Sequence, residues 1–285
     1  MAIQSSSRAL RGDTTAQIAF FSPTDGTTPY NLVRAPKPNE PPQLLRRPPT
    51  RPHPRHPRRR NHPHPRPRLR PRRLPPVPST ERTFTDDASI RANVYPEIEA
   101  LLLANVPGSE KVVIFDHTVR RTGPAAHRSP VLRAHIDQTP RAAEARVRRH
   151  LDPDEAETRL QRGDRYRIIN VWRPLNAGPV ESFPLAFASS ATLRDDDVVP
   201  VRHIYDTFEG ETAAIAHHPD QRWLYLGAMG PDEALLLQCF DSDALREGTK
   251  VRGGRLAHTA FEHPGSLPDA EGRESIEIRA LVFGP

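Results

Sequence analysis

Three residues that lie far apart along the chain could together bind a metal ion: His135, Asp137 and His258. His135 and Asp137 form a His-x-Asp pair in the segment RAHIDQTP. In a strand, residues i and i+2 face the same side, so both side chains could point at one ion. Two imidazoles and one carboxylate form the facial triad that holds Fe(II) and leaves coordination positions open. These residue types therefore predict a non-haem iron centre.

A candidate anion-binding pair follows the second histidine. Arg273 lies fifteen residues after His258, and Ser275 shares its parity at the start of the segment ESIEIRALVF. A guanidinium forms a bidentate, charge-assisted pair with a carboxylate. The pair therefore suits the C5 carboxylate of 2-oxoglutarate, whose keto-acid end would bind the iron. This combination predicts an iron- and 2-oxoglutarate-dependent oxygenase.

Other residues could serve as the metal ligands or as the carboxylate anchor. The His-x-Asp pattern recurs at His150/Asp152, across a predicted helix boundary where Asp152 caps the helix, and at His218/Asp220, in a predicted hairpin turn that contains a proline. A rival third ligand is His263, which also lies in a turn beside a proline. His135 and Asp137 are preferred because they lie where a strand opens into a loop.

The anchor for the cosubstrate also has alternatives. Arg279 lies further along the same predicted strand with the same parity. Glu274 or Glu277 could pair with Arg273 and so make it an ordinary surface ion pair. The accompanying hydroxyl of Ser275 favours Arg273 as the anchor.

Charge is distributed unevenly along the chain. Residues 35–78 contain twelve Arg, one Lys, one Glu and sixteen Pro, so this tract carries +12 while the whole chain carries +6. The remaining 241 residues therefore sum to about −6, which is ordinary for a soluble enzyme. Proline removes backbone donors and the arginines repel one another, so the tract is expected to be disordered. The predicted organisation is an N-terminal segment (1–34) with a strand at 17–21 and a turn at 23–26, a Pro/Arg/His-rich tract (35–81) and one catalytic domain (82–285).

Residue patterns within the catalytic domain predict a mainly β protein with flanking helices. Helical spacing appears at 87–106, interrupted at Pro96, and at 141–151. A further helix is predicted to begin with Asp152 as N-cap, Pro153 at the first position and Glu155 completing a capping box, and to stop at Gly163. A buried strand is predicted at 111–121. From 165 onward, eight short segments of period two are separated by turn residues, which is typical of a sandwich or barrel of jelly-roll type.

At these motifs the chain resembles the AsaB-type fungal hydroxylase/desaturase family of secondary metabolism. The resemblance rests on VVIFDHTVRR, HIDQTP, YRIINVWRP, LLLQCFDS, HTAFEHP and RESIEIRALVF, in that order. This family includes gibberellin desaturases and is similar to a bacterial cephalosporin methoxylation protein. The resemblance implies a double-stranded β-helix, Fe(II) held by His135, Asp137 and His258, and 2-oxoglutarate held by Arg273 and Ser275. It also implies hydroxylation or desaturation of a small metabolite with O₂.

Other features limit the alternatives. The single cysteine, Cys239, permits no intrachain disulfide and is expected to be a small core residue. The N-terminus has no signal-peptide pattern and no apolar run could span a membrane, so a cytoplasmic protein is expected. An Arg-rich arm that binds nucleic acid or an acidic partner is the alternative function, although the tract has no aromatic residue for base stacking. A jelly-roll metalloprotein without oxygenase activity is a third. Asn170, Trp172 and Arg173 could touch substrate, but a core role is favoured.

Overall fold

The computed structural model describes residues 10, 12–22, 29–32, 74, 77–123, 128–251 and 254–285. The predicted turn at 23–26 and nearly all of the Pro/Arg/His-rich tract lie outside this part. The proposed division into three regions therefore stays a prediction. The predicted strand at 17–21 is not formed as a strand, because only isolated bridges at Ala19 and Phe21 tie this segment to the sheet.

The described residues form a mainly β structure of two sheets with few helices. A seven-stranded sheet has the order β1-β6-β7-β3-β10-β5-β8, and a four-stranded sheet has the order β2-β11-β4-β9. Neighbouring strands are antiparallel except for β1 and β6. The elements are β1 (Tyr30–Leu32), α1 (Asp87–Ser89), a π-helical turn (Ile90–Val94), α2 (Tyr95–Asn105), β2 (Lys111–Arg121), β3 (His135–Ile136), α3 (Pro140–His150), α4 (Pro153–Arg162), β4 (Tyr166–Pro174), β5 (Leu185–Ala188), β6 (Val198–Ile204), β7 (Glu209–Ile215), β8 (Trp223–Tyr225), β9 (Leu235–Asp241), β10 (His258–Ala260) and β11 (Glu274–Phe283).

All eight strands predicted after residue 165 are present. Their bounds differ from the predicted ones by a few residues, as expected for element ends. The strand predicted at 111–121 is confirmed as β2, but the prediction that it is buried was wrong because most of its residues are only half-buried. β2 is an edge strand of the four-stranded sheet, which leaves one side uncovered.

Strand β11 lies in the middle of the four-stranded sheet and divides its side chains between two environments. Ile276, Ile278, Ala280 and Val282 point outward and pack against α2 in an apolar cluster. The odd-numbered residues from Ser275 to Phe283 point to the opposite side, as the two-residue period of a strand requires. A register shift after Arg279 places two residues of β2 opposite one residue of β11.

The space between the two sheets holds a second apolar cluster. Leu185 comes from the seven-stranded sheet, whereas Trp172, Leu237 and Leu281 come from the four-stranded sheet, and α3 adds Val147. Because both sheets contribute to one cluster, they face each other. The opposite face of the seven-stranded sheet packs Ile136 and its neighbours against the segment around Phe20.

The first helical run continues through Pro96, so the predicted interruption there was wrong. The proline occupies the first turn of α2, where its missing N–H costs little. The π-helical turn just before it absorbs the irregularity, with the N–H of Tyr95 donating to the carbonyl of Ile90.

Helices α3 and α4 begin and end where the sequence predicts. Asp152 caps α4 by accepting from the N–H groups of Asp154 and Glu155, and Gly163 ends it with a φ of 67°. The predicted capping box at Glu155 is not formed. Its carboxylate instead binds Lys111 of β2 and Arg159, which ties α4 to the edge of the four-stranded sheet.

Glu81 organises the segment that leads into the first helix. Its Oε1 accepts from the N–H groups of Thr83 and Phe84, and its Oε2 from the hydroxyl of Ser89. The Ser89 bond, followed by the Phe84 and Thr83 bonds, lowers the pKa of Glu81 to about 2. A depressed carboxyl pKa stabilises the fold above the unfolded-state value and loses this effect as the pH falls.

We therefore expect Glu81→Gln to unfold at lower urea concentration than the wild type near pH 6. The difference in free energy of unfolding should shrink between pH 4.5 and pH 2, because only the wild type takes up a proton at this position. Urea titrations at several pH values, followed by circular dichroism, measure it. A difference that stays constant down to pH 2 would contradict the assigned role.

In the part of the chain that the structure describes, no helix combines the length and apolar character needed to cross a membrane.

Candidate metal centre

The His-x-Asp segment and the second histidine meet on neighbouring strands of the seven-stranded sheet. β3 pairs antiparallel with β10, and in this register His135 lies directly opposite His258. The two imidazole centroids are 4.5 Å apart, and Nε2 of His135 lies 3.3 Å from Oδ1 of Asp137. One ligand atom from each of the three residues lies within 4.8 Å of the others. The fold thus brings the three predicted residues together at one point.

Both imidazoles are oriented in the same way by the backbone. Nδ1 of His135 lies 2.8 Å from the carbonyl oxygen of Arg133, and Nδ1 of His258 lies 3.2 Å from the carbonyl oxygen of Leu256. A carbonyl can only accept, so each Nδ1 carries a proton, and in the neutral ring each Nε2 presents a lone pair. Such a bond from the second ring nitrogen is the usual support of a metal-binding histidine.

Asp137 is held through one of its two carboxylate oxygens. Oδ2 accepts from Nδ2 of Asn170 at 2.8 Å and from Nε of Arg279 at 3.1 Å. Oδ1 is the oxygen that faces His135. The arrangement leaves Oδ1 to act as a monodentate ligand.

Arg279 is fully engaged by acceptors. Besides Asp137, it donates from Nη2 to Glu277 at 2.8 Å and from Nη1 to Asp116 at 3.2 Å and to Thr118 at 3.1 Å. Burial opposes its charge, but Glu277, Asp137 and Asp116 together raise its pKa above the ordinary arginine value. All three guanidinium nitrogens are used, which leaves Arg279 no free donor pair for a diacid.

The pKa shifts of Asp137 and His258 favour binding of a divalent cation, whereas that of His135 opposes it. Burial opposes the charge of Asp137, yet Arg279, His135 and His258 hold the pKa of its carboxyl well below its usual range. Burial, with a contribution from the neighbouring His135, lowers the pKa of His258. Burial also works against protonation of His135, but the bond to Asp137 outweighs it and raises the pKa. A bound cation must therefore displace a proton from His135 more often than from His258.

Arg273 is buried without a counter-ion among the described residues. It is 2% exposed, its Nη1 donates to the carbonyl of Phe183 at 2.6 Å, and its Nε has no partner. Burial, and secondarily the charge of Arg120, lowers its pKa to about 9. Its guanidinium carbon lies 5.5 Å from the ring centroid of Trp172. Ser275, 1% exposed, is two residues further along.

The carboxylates that could have neutralised Arg273 are paired elsewhere. Glu274 points away and binds Arg121 at 2.8 Å, and Glu277 binds Arg279 and Asn170. An unpaired buried guanidinium is costly, so it indicates a site for an anion.

The other predicted candidates lie elsewhere. His150 stacks on Phe115, and Asp152 caps α4. His218 and Asp220 lie in the link between β7 and β8, which are not paired with each other, so the predicted hairpin there was wrong. His263 contacts the hydroxyl of Tyr225. Cys239 is buried in the apolar cluster, as predicted, and burial raises the pKa of its thiol well above the ordinary value.

The contribution of two residues to this centre, Asn170 and Glu277, was underestimated from the sequence. Asn170 was favoured as a core residue, and it is indeed 0% exposed, but its amide also orients Asp137. Glu277 was considered only as a partner of Arg273, and it instead supports Arg279. Shared parity with Arg273 on β11 was the signal available for Glu277 and Arg279. Arg173 points to the other side of β4, where it donates to the carbonyl of Pro231.

The residues fit Fe(II) and a keto diacid. Two neutral-capable imidazoles and one carboxylate supply the ligand set that non-haem iron prefers. The facing sheet contributes the buried guanidinium of Arg273, which lies on the same face as Arg279 and can anchor a carboxylate.

Comparisons with known proteins agree with this chemistry. A family model described as "Oxidoreductase/YMDC permease-like domain" matches residues 18–283. The hydroxylase/desaturase poxK of Penicillium oxalicum is 39% identical over 227 residues, covering 72% of this chain and 69% of the relative. The Fe(II)/2-oxoglutarate-dependent dioxygenase nvfI of Aspergillus novofumigatus is 34% identical over 208 residues, covering 72% and 71%.

A solved structure also matches. It is the iron and alpha-ketoglutarate-dependent endoperoxidase NvfI, with a TM-score of 0.61, 32% identity and coverage of 70% of this chain and 71% of that chain. The extent of these matches, together with the geometry of the site, identifies the family. The chain belongs to the AsaB-type fungal hydroxylases and desaturases, which are Fe(II)- and 2-oxoglutarate-dependent oxygenases of secondary metabolism.

Proposed function

We propose that this protein hydroxylates or desaturates a small secondary metabolite, with Fe(II) held by His135, Asp137 and His258 and 2-oxoglutarate held by Arg273 and Ser275. The observation that carries the proposal is the convergence of three ligand atoms within 4.8 Å. A buried guanidinium without a counter-ion among the described residues lies on the facing sheet.

The fold proposed for this chemistry is a double-stranded β-helix, or jelly roll. Asp137, just after β3, hydrogen-bonds with Asn170 of β4 and Arg279 of β11, so the two sheets meet across the metal centre. The antiparallel order of both sheets and the apolar cluster between them support this assignment.

The protein's own residues would bind, orient and exclude water. The two Nε2 atoms and Oδ1 of Asp137 would hold the ion, and they supply three ligand atoms. Arg273 and Ser275 fix the far carboxylate of the diacid, so its keto-acid end is directed along the inner face of β11. Trp172 and Leu237 keep this interior apolar, which protects a reactive centre from water.

When bound, Fe(II) with 2-oxoglutarate and O₂ supplies the oxidant that removes hydrogen from the substrate, while the diacid leaves as succinate and CO₂. The chain would determine which C–H bond of the metabolite lies next to the metal. The substrate is proposed to be a small molecule, because the names of the relatives include hydroxylase, desaturase and dioxygenase.

An anaerobic titration tests the proposal. Fe(II) followed by 2-oxoglutarate should produce the weak visible absorption band of an iron–keto-acid chelate, and succinate should not. O₂ should then convert 2-oxoglutarate to succinate. Absence of the band at saturating concentrations of both ligands would contradict the assignment.

Arg279 provides a further test of the metal centre. Arg279→Gln should weaken Fe(II) binding by roughly ten- to a hundredfold, because Asp137 loses one of the two donors that orient its carboxylate. Anaerobic equilibrium binding with a competing chelator measures this effect, and Arg121→Gln on the neighbouring strand is the control. Unchanged affinity in Arg279→Gln would show that Asp137 does not depend on this contact.

A further inference from the structure

A second arginine faces the same interior as Arg273, on the adjacent strand. In the β2–β11 register Arg120 lies directly opposite Ser275. Residues paired across two strands point to the same side of a sheet. Arg120 therefore shares the inner face with Ser275, which neighbours Arg120 on the adjacent strand and lies two residues after Arg273.

Arg120, like Arg273, forms no ion pair with a carboxylate in the ranges that the structure describes. Its Nη1 donates to the carbonyl of Ser129 at 3.0 Å. The adjacent acidic residues are occupied, since Glu274 binds Arg121 and Glu277 binds Arg279. Two guanidiniums thus face one region of the interior without a carboxylate partner among the described residues.

The strand register locates Arg120 between the anchor and the residues that support Asp137, because its partner Ser275 lies between Arg273 and Glu277 in the sequence. Burial lowers its pKa, and its positive charge in turn lowers the pKa of Arg273. Its guanidinium also interacts electrostatically with Glu277, Arg279 and Asp137. The order along the inner face of β11 is therefore Arg273, then Ser275 with Arg120, then the residues that support Asp137.

We propose that Arg120 is a second ligand of the distal carboxylate of the keto-acid cosubstrate, so that Arg120 and Arg273 together form a two-arginine clamp that selects a diacid. This inference rests on the proposed function. Two like charges that are partly or fully desolvated repel each other, and an anion between them removes both penalties. One carboxylate with two oxygens can accept from both guanidiniums and from the hydroxyl of Ser275.

Binding measurements with two keto acids test the clamp. Calorimetry would compare 2-oxoglutarate with 2-oxopentanoate, which has the same carbon chain but a methyl group in place of the distal carboxylate. The protein would be loaded with Mn(II), so no turnover occurs. Arg120→Gln should weaken 2-oxoglutarate binding by roughly ten- to a hundredfold and leave 2-oxopentanoate binding unchanged. Arg120→Lys, which keeps a positive charge without the fork, should fall between.

Arg121→Gln is the matched control, because Arg121 is the next residue of β2 and pairs with Glu274 instead of facing the interior. It should leave the affinity for both keto acids at the wild-type value. Thermal unfolding of the metal-free Arg120→Gln protein should match the wild type, which shows that a loss of affinity is not a loss of fold. If Arg120→Gln unfolds at a lower temperature than the wild type, the affinities of Arg120→Lys are compared with those of the wild type instead.

Two results would overturn the inference. Wild-type affinity for 2-oxoglutarate in Arg120→Gln would show that the distal carboxylate does not contact Arg120, for example because Arg120 binds the metabolite. Equal weakening of both keto acids would show a general effect on the metal centre. In either case the proposed function stands if Arg273→Gln still loses 2-oxoglutarate binding. If the wild type itself binds neither keto acid, the proposed function fails first.

Discussion

Asp137→Ala is expected to abolish conversion of 2-oxoglutarate to succinate and to remove high-affinity Fe(II) binding. Asp137 is the only carboxylate in the three-residue cluster formed by the described residues, so its loss leaves two neutral imidazoles for a divalent cation. Removing one partner of a buried charge pair costs about 3–5 kcal/mol, which corresponds to roughly two to four powers of ten in affinity. Anaerobic Fe(II) binding and succinate formation measure the two effects.

The metal-free Asp137→Ala protein should remain folded, because Arg279 keeps Glu277 and Asp116 as partners. Asp220→Ala is the matched control: it removes the carboxylate of another His-x-Asp pair, which is 83% exposed. This control should bind Fe(II) like the wild type. Wild-type succinate production by Asp137→Ala would end the assignment of the metal ligands.

Arg273→Gln is expected to weaken 2-oxoglutarate binding by roughly two to four powers of ten while leaving Fe(II) affinity nearly unchanged. The guanidinium is 2% exposed and has no counter-ion among the described residues, so its bidentate pair with a carboxylate would form in a desolvated site. The loss of about 3–5 kcal/mol expected for one partner of such a pair gives this range. Calorimetry on the Mn(II)-loaded protein measures it.

Arg273→Gln also has a distinctive effect on stability. Burial lowers the pKa of Arg273 to about 9, which means that the folded state disfavours its charge in the absence of a ligand. The metal-free variant should therefore unfold at the same temperature as the wild type or higher, although it binds the cosubstrate worse. A 2-oxoglutarate affinity within about threefold of the wild type would identify another residue as the anchor.

Local sequence patterns predict the elements of this fold well. Strand β2 spans the predicted residues, because a run of β-branched and apolar residues ends at turn signals on both sides. Helix α4 begins after Asp152 and ends at Gly163 for reasons that are local to those residues. The bounds of these elements depend on residues only a few positions away, so they can be predicted from the sequence alone.

Contacts between elements that are far apart in the sequence cannot be predicted from local patterns. His135 and His258 become neighbours only through the register of β3 against β10, and no local pattern determines that register. The residue types at these positions predict a metal site, but not that Asn170 and Arg279 would both donate to Oδ2 of Asp137 and leave Oδ1 facing His135.

The choice between Arg273 and Arg279 shows the same limit. Arg273, just before β11, and Arg279 within it share the same parity, so the two-residue period of a strand cannot tell which of them is the anchor. The structure distinguishes them through their partners, because Arg279 is surrounded by three carboxylates whereas Arg273 has none among the described residues. The position of Arg120 could not be predicted for the same reason, because it lies beside Ser275 only through the pairing of β2 with β11.

The most direct test of the metal assignment is anomalous diffraction at the iron edge from crystals grown anaerobically with Fe(II) and 2-oxoglutarate. We expect one strong peak within bonding distance of Nε2 of His135, Nε2 of His258 and Oδ1 of Asp137, with the diacid extending from it toward Arg273. A peak at any other site, or bonding by only one of the two imidazoles, would contradict it.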